Sequence, residues 1–199
     1  HSAFYNCTSL VSVTLPDTVT KIESYAFSKC TALLNVQFGD GLTAINEDAF
    51  SYCSSLKEVY LPDGLTDFGQ GHCSVFAHCT SLEKVYIPST LTNAWYMGDG
   101  YVEYGFFYEC PNLNEIIWGE GITSIPCGLF RGCSGLTEVI IPDTVTTIEP
   151  DAFLACSSLS SITIPDSVTE IGRYAFSECT SLIAVSIPDT VTTYGGRLF

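Results

Sequence analysis

Cys156-Ser157-Ser158-Leu159-Ser160-Ser161-Ile162-Thr163-Ile164-Pro165-Asp166-Ser167-Val168-Thr169-Glu170-Ile171-Gly172 is the stretch whose reading decides the fold. Ile162 and Ile164 alternate with polar neighbours, the period-two pattern of a short strand with Thr163 facing outward. Pro165 ends ladder pairing, and Pro-Asp favours a turn by fixed φ and local hydrogen bonding. Val168-Thr169-Glu170-Ile171 reads as a second short extended segment. The piece that follows, Tyr174-Ala175-Phe176-Ser177-Glu178-Cys179, allows no more than a single helical turn, of 3₁₀ type. Working outward, the same order returns every 23 residues except across two insertions, after Phe50 and after Phe76, with phenylalanine at Phe4, Phe27, Phe50, Phe76, Phe107, Phe130, Phe153, Phe176 and Phe199. Cysteine follows three residues later at Cys7, Cys30, Cys53, Cys79, Cys110, Cys133, Cys156 and Cys179. A fixed period of this length specifies a solenoid, because one unit cannot bury its apolar face alone and stacked units can. Parallel strands from successive units then form a sheet along one side, rising roughly 4.8 Å per unit.

The quoted stretch resembles the leucine-rich repeat superfamily, and within it the BspA-like class. The resemblance covers essentially the whole chain. It implies a leucine-rich repeat solenoid, a curved right-handed coil with a parallel β-sheet on one side and short strands and 3₁₀ turns on the other. Proteins of this kind are commonly exported or displayed on microbial surfaces, some as adhesins for host matrix proteins. The resemblance carries over no catalytic residue. The expected organisation is a single domain over 1–199 of about eight repeats. The chain opens on the Ala3-Phe4 step, closes on the equivalent Leu198-Phe199 and shows no polar capping repeat, so truncation at both ends of a longer protein is expected.

The 199 residues carry a net charge of −15 with only seven Lys and Arg. That balance argues against a nucleic-acid backbone, which needs clustered basic residues, and against anionic membrane surfaces. No apolar run approaches the roughly 18 residues of a membrane span. The expected partner is a protein or glycan, host extracellular matrix among them, at a cell surface or in the secreted fraction. No cofactor is expected.

Ten cysteines invite a disulfide or metal reading. Eight hold one repeat position, so their Cβ vectors run parallel, which a bridge does not tolerate. A column of buried free thiols follows. His72, Cys73, His78 and Cys79 are zinc-ligand types, but the spacing fits no familiar zinc pattern and Cys79 is a core position. A Cys73 nucleophile lacks any marked orienting group or oxyanion site. Cys73 and Cys127 stand about 10 Å apart by unit spacing, too far for a bridge. The acidic residues after the turn prolines (Asp17, Asp63, Asp143, Asp166 among them) suit solvated turns better than a calcium cage. Thr20, Thr43, Thr66, Thr92, Thr123, Thr146, Thr169 and Thr192 form a threonine row. It suits either ice binding or, as well, hydroxyls satisfying neighbouring backbone groups. The Asn6-Cys7-Thr8 sequon begins a buried step and is discounted as a glycosylation site.

The informative departures are two. Insertions fall within 66–75 and 92–106, at one place in adjacent units, which maps them to one edge of the solenoid. The second carries Trp95, Tyr96, Tyr101 and Tyr104, rings that give contact area at low entropy cost or fold back on the enlarged coil. The outward strand column runs Thr14, Gln37, Tyr60, Tyr86, Ile117, Ile140, Thr163, Ser186. Its middle is apolar or aromatic, and the preceding column places Glu58, Lys84, Glu115 and Glu138 beside it. Such a patch is a candidate interaction surface, where complementary charge on the partner would set specificity; β-branched and aromatic residues also suit a sheet in their own right. The function expected is non-catalytic binding through the central concave face and the aromatic insertion. The competing reading is a structural spacer that holds other domains away from a surface.

Overall fold

The computed structural model describes residues 1–68, 74–91 and 105–198. It is a parallel β-solenoid. Its strands are β1 (Ser12–Thr14), β2 (Lys21–Ile22), β3 (Asn35–Gln37), β4 (Ala44–Ile45), β5 (Glu58–Tyr60), β6 (Lys84–Ile87) and β7 (Glu115–Trp118). Beyond these come β8 (Ser124–Ile125), β9 (Glu138–Ile140), β10 (Thr147–Ile148), β11 (Ser161–Thr163), β12 (Glu170–Ile171) and β13 (Thr193–Tyr194). The Leu-x-x-Val-x-Ile segments make one ladder, β1 with β3, β5 with β6 and β7, and β9 with β11. The Val-Thr-x-Ile segments make the other, β2 with β4 and β8 with β10, β12 and β13. Every pair is parallel, and register matches equivalent repeat positions, as in Val59 with Val85 and Val85 with Ile116.

Between the ladders the repeat columns fill the core. Successive phenylalanines stack nearly parallel, with centroids from 5.0 Å (Phe4 on Phe27) to 5.9 Å (Phe107 on Phe130). Among the described residues the eight repeat-position cysteines carry no disulfide and form the expected column, buried from Cys30 to Cys179 and half-buried at Cys7. Each thiol donates to the phenylalanine carbonyl one coil back: Cys53 to Phe27, Cys110 to Phe76 and Cys156 to Phe130, at 3.2–3.3 Å. Burial pushes Cys53 and Cys110 up to about 12 and raises Cys133 and Cys156 well above the ordinary thiol. A thiolate in this column would lose its hydration without gaining a cation, so these thiols stay neutral and unreactive.

The Ala-Phe-x-x-Cys arc carries the expected turns with 3₁₀-type hydrogen bonds, but they alternate rather than run on. Ala26, Ser28 and Cys30 donate three residues back within the coil, to Glu23, Tyr25 and Phe27. Tyr25, Phe27 and Lys29 donate forward to the next coil, at Glu47, Ala49 and Ser51. The alternation requires a left-handed residue on each side of the phenylalanine. Tyr25 and Lys29 sit at φ 59° and 61°, Asp151 and Ala155 at 58° and 61°. Each such non-glycine residue costs about 1–2 kcal/mol, offset by satisfied amides that would otherwise be buried unpaired. In one coil Gly128 and Gly132 take both positions.

The sheet on the strand side is interrupted twice, between β3 and β5 and between β7 and β9. Both interruptions follow a coil in which the inward Ile or Leu is replaced by a larger aromatic. Phe38 packs edge-on against Phe50 at 5.8 Å, and Trp118 edge-on against Phe130 at 5.9 Å. Each ring reaches into the next coil and fills space between the strands. In both coils Pro-Asp gives way to Gly-acid-Gly, Gly39-Asp40-Gly41 and Gly119-Glu120-Gly121. The substitution has a steric reason. A Cβ on Gly119 would lie 2.7 Å from the Ser89 nitrogen and 2.9 Å from the Ile87 oxygen, and Gly121 sits at φ +75°.

Candidate functional site

Strand pairing aligns the central outward residues. Tyr60 lies beside Tyr86 and Tyr86 beside Ile117 on consecutive strands, while Glu58, Lys84 and Glu115 form the adjoining row. Tyr60 is 49% exposed and Ile140 66%. Tyr86 and Ile117 are half-buried. At the flanking coils the same column is polar, Thr14 and Gln37 on one side and Thr163 on the other.

The polar groups are organised by short contacts. Tyr60 donates its hydroxyl to Glu58 at 3.1 Å, and Tyr86 donates to Asp63 of the coil before at 2.8 Å. Both bonds favour the neutral phenol and raise its pKa. The Lys84 ammonium meets the Glu115 carboxylate at 2.6 Å, and that hydrogen bond raises Lys84. These contacts tie the ring hydroxyls to fixed partners, where a free side chain would sample several rotamers.

Between β7 and β9 the interrupted sheet opens a crevice of about 460 Å³. Ile116, Trp118, Val139 and Ile140 line it with Glu115 and Glu138. At one end the Trp118 indole N–H donates to the Ile140 carbonyl at 3.0 Å. At the equivalent positions Leu15 and Leu61 the backbone N–H itself donates to the next strand, to Gln37 and Tyr86. The indole thus spans a gap that the main chain closes elsewhere.

Of the sequence candidates, the structure brings Tyr60, Tyr86 and Ile117 together with Glu58 and Glu115 on one sheet, and sets Glu138 and Ile140 across the crevice. Trp95, Tyr96, Tyr101 and Tyr104 lie outside the described residues, as do His72 and Cys73. Sequence reasoning missed Trp118, which stands at the strand position that Ile or Leu fills in most other coils. The signal was present in its size and in the glycine pair behind it.

Other chemistry finds structural explanations. The Thr43, Thr146 and Thr169 hydroxyls donate to the threonine carbonyl of the preceding coil at 3.1–3.3 Å, so the row tightens the coil as a hydroxyl ladder. Asp17 accepts the Asp40 amide at 3.0 Å, a turn role. His78 stacks on Tyr52 at 4.4 Å and pairs with Glu109 at 3.1 Å, while the Cys79 thiol donates to the Phe50 carbonyl. Among the described residues no cluster of three metal-ligating side chains occurs. Nor, among them, is any helix long and apolar enough to cross a membrane.

The description "BspA type Leucine rich repeat region" matches six copies over residues 1–96 and 101–199. Among solved structures, a leucine-rich repeat protein of T. pallidum is 31% identical, with TM-score 0.57, over 91% of this chain and 69% of its own. A leucine-rich repeat protein of Eubacterium ventriosum is 25% identical, with TM-score 0.56, over 95% of this chain and 42% of its own. A leucine-rich cell surface protein of Faecalibacterium prausnitzii is 26% identical, with TM-score 0.46, over 98% of this chain and 62% of its own. The chain therefore spans from about two fifths to about two thirds of these proteins. No curated protein matches it. With the repeat matched along nearly its full length and the coil architecture in agreement, the chain belongs to the BspA-type leucine-rich repeat family.

Proposed function

We propose that this chain is a non-catalytic binding domain of an exported or surface-displayed microbial protein, and that it recognises a protein or glycan on the centre of its strand face. Tyr60, Tyr86, Ile117 and Ile140 supply apolar contact, and Glu58, Glu115 and Glu138 select a partner with basic charge. Trp95, Tyr96, Tyr101 and Tyr104 of the second insertion add a further contact. The observation that carries the reading is the contrast along one column. Positions that are Thr or Gln in outer coils turn aromatic or aliphatic over four consecutive central coils and stay exposed at Tyr60 and Ile140. Packing does not demand this, because polar residues fill the same positions in the same fold. Exposed apolar surface carries a solubility cost that a partner removes.

The test is binding to an array of extracellular matrix proteins and glycans, with a Tyr60→Ser/Tyr86→Ser variant beside the parent chain. The expected result is binding by the parent that the variant loses while its circular dichroism is unchanged. Binding kept by the variant moves recognition to Trp95–Tyr104. An array silent for both proteins favours the spacer reading.

A further inference from the structure

The crevice between β7 and β9 has a chemistry of its own. In the paired strands, Glu115 donates back to Glu83 and Gly119 back to Ile87. Strand alternation therefore turns the N–H groups of Ile116 and Trp118 toward β9. By the same alternation Glu138 and Ile140 face β7, as Lys84 faces Lys57 in the coil before. β7 and β9 do not pair. The crevice is thus bordered by two strand edges whose main-chain groups have no ladder partner in each other, although the Ile140 carbonyl at one end is taken by the Trp118 indole. Its walls are apolar at Ile116, Trp118, Val139 and Ile140, and carboxylates stand at Glu115 and Glu138. No basic side chain stands on β7, β9 or β11. On the neighbouring β6, Lys84 is paired with Glu115.

We infer that the β7–β9 crevice takes an extended basic peptide segment, the strand-like stretch of a partner protein in which Lys or Arg alternates with apolar residues. This inference rests on the strand-face reading above and names the partner's chemistry. An extended backbone carries donors and acceptors at strand spacing, as open strand edges demand. Its side chains alternate, so one set lies inward on Ile116, Trp118 and Val139 while the other lies outward and meets Glu115 and Glu138. A glycan supplies hydroxyls but no cation for Glu138, which forms no ion pair among the described residues, while Glu115 has Lys84 alone. Opposite charge across the contact gives selectivity and salt dependence.

The probe is fluorescein-labelled Lys-Val-Lys-Val-Lys-Val-Lys-Val-amide, titrated by anisotropy with the full chain. Saturable binding is expected, with none by the Glu-Val counterpart. A Glu115→Gln/Glu138→Gln variant should bind at least about tenfold more weakly. N-methylation of alternate amides in the probe should weaken binding by a similar factor, because it removes main-chain donors while keeping charge. The indole N–H resonance of Trp118, assigned with a Trp118→Phe variant, should shift on binding. Absence of binding, indifference to the Gln pair, or equal binding of the N-methylated probe overturns the inference. The array comparison of Tyr60→Ser/Tyr86→Ser separates the two claims. If that variant loses array binding while the peptide fails, the crevice assignment falls and the strand-face reading stands. If the peptide binds as expected while the array is silent, the crevice stands without the wider surface.

Discussion

In the coils between Phe130 and Cys179 the inward strand positions are Val139, Ile141, Ile162 and Ile164, and β9 pairs with β11 in register. In the coil between Phe107 and Phe130 the matching positions are Ile116 and Trp118, and the strand ladder stops. The phenylalanine and cysteine columns run through both regions without a break. The widest ring spacing along the phenylalanine stack, 5.9 Å, falls where Trp118 reaches across. The lesson is a division of labour within one repeat. Phenylalanine and cysteine hold the coils together, and the strand positions are free to vary because the columns carry the stability.

The largest expected effect comes from breaking what the regions share. Phe153→Ala should cost about 3–5 kcal/mol in urea unfolding, since it removes a fully buried ring with stacked partners on both sides. Trp118→Ala should cost less, because that ring is half-buried. Equal losses would contradict the division.

The cysteine column gives the next effect, common to both regions. The folded-state thiol pKa lies above the unfolded value, so the stabilising difference is fully present below about pH 9. It is then lost as pH rises toward about 12, where Cys53 and Cys110 ionise in the folded state. Each such thiol should lower stability by about 1.4 kcal/mol per pH unit above 9. Urea midpoints measured from pH 8 to 11 check this, and an unchanged midpoint would contradict it. Native thiols should also resist alkylation at neutral pH.

Glycine substitutions sharpen the contrast at smaller magnitude. Gly119→Ala should cost about 1–3 kcal/mol, because its Cβ would press on the Ser89 and Ile87 backbone. Gly121→Ala meets nothing within 4 Å, so only its φ of +75° opposes the change, at about 1–2 kcal/mol. Thermal unfolding of the two variants compares steric with dihedral cost. The smallest effect on stability should come from Trp118→Leu, about 1 kcal/mol or less in either direction. That change restores the aliphatic residue of the other coils and should close β7 onto β9, seen as new amide protection at Ile140.

Much of this architecture was legible before any coordinates. Period two at Ile162 and Ile164, proline after them and one cysteine per unit place strand, turn and core column directly. The left-handed arc was not legible, because Tyr52, His78 and Ala155 adopt positive φ without being glycine. Hydrogen bonds between coils impose that conformation, and no local propensity announces it. The interrupted sheet was half legible. Phe38-Gly39 and Trp118-Gly119 repeat one signature, but hydrophobic pattern alone counts Trp as equivalent to Ile. Volume separates them, and volume acts only once the next coil is in place. In the candidate site, Tyr60, Tyr86, Ile117 and Ile140 were visible as a column against polar counterparts. Trp118 was not, since it faces inward.

Trp118 is the residue held responsible for keeping the sheet open at the centre of the strand face. Amide hydrogen exchange of the parent chain, residue by residue, tests that role most directly. Fast exchange is expected at Ile116, Glu138 and Ile140, with slow exchange at Val59, Val85 and Val139, whose amides face a paired strand. Equal protection across both sets would mean a closed ladder and would contradict it.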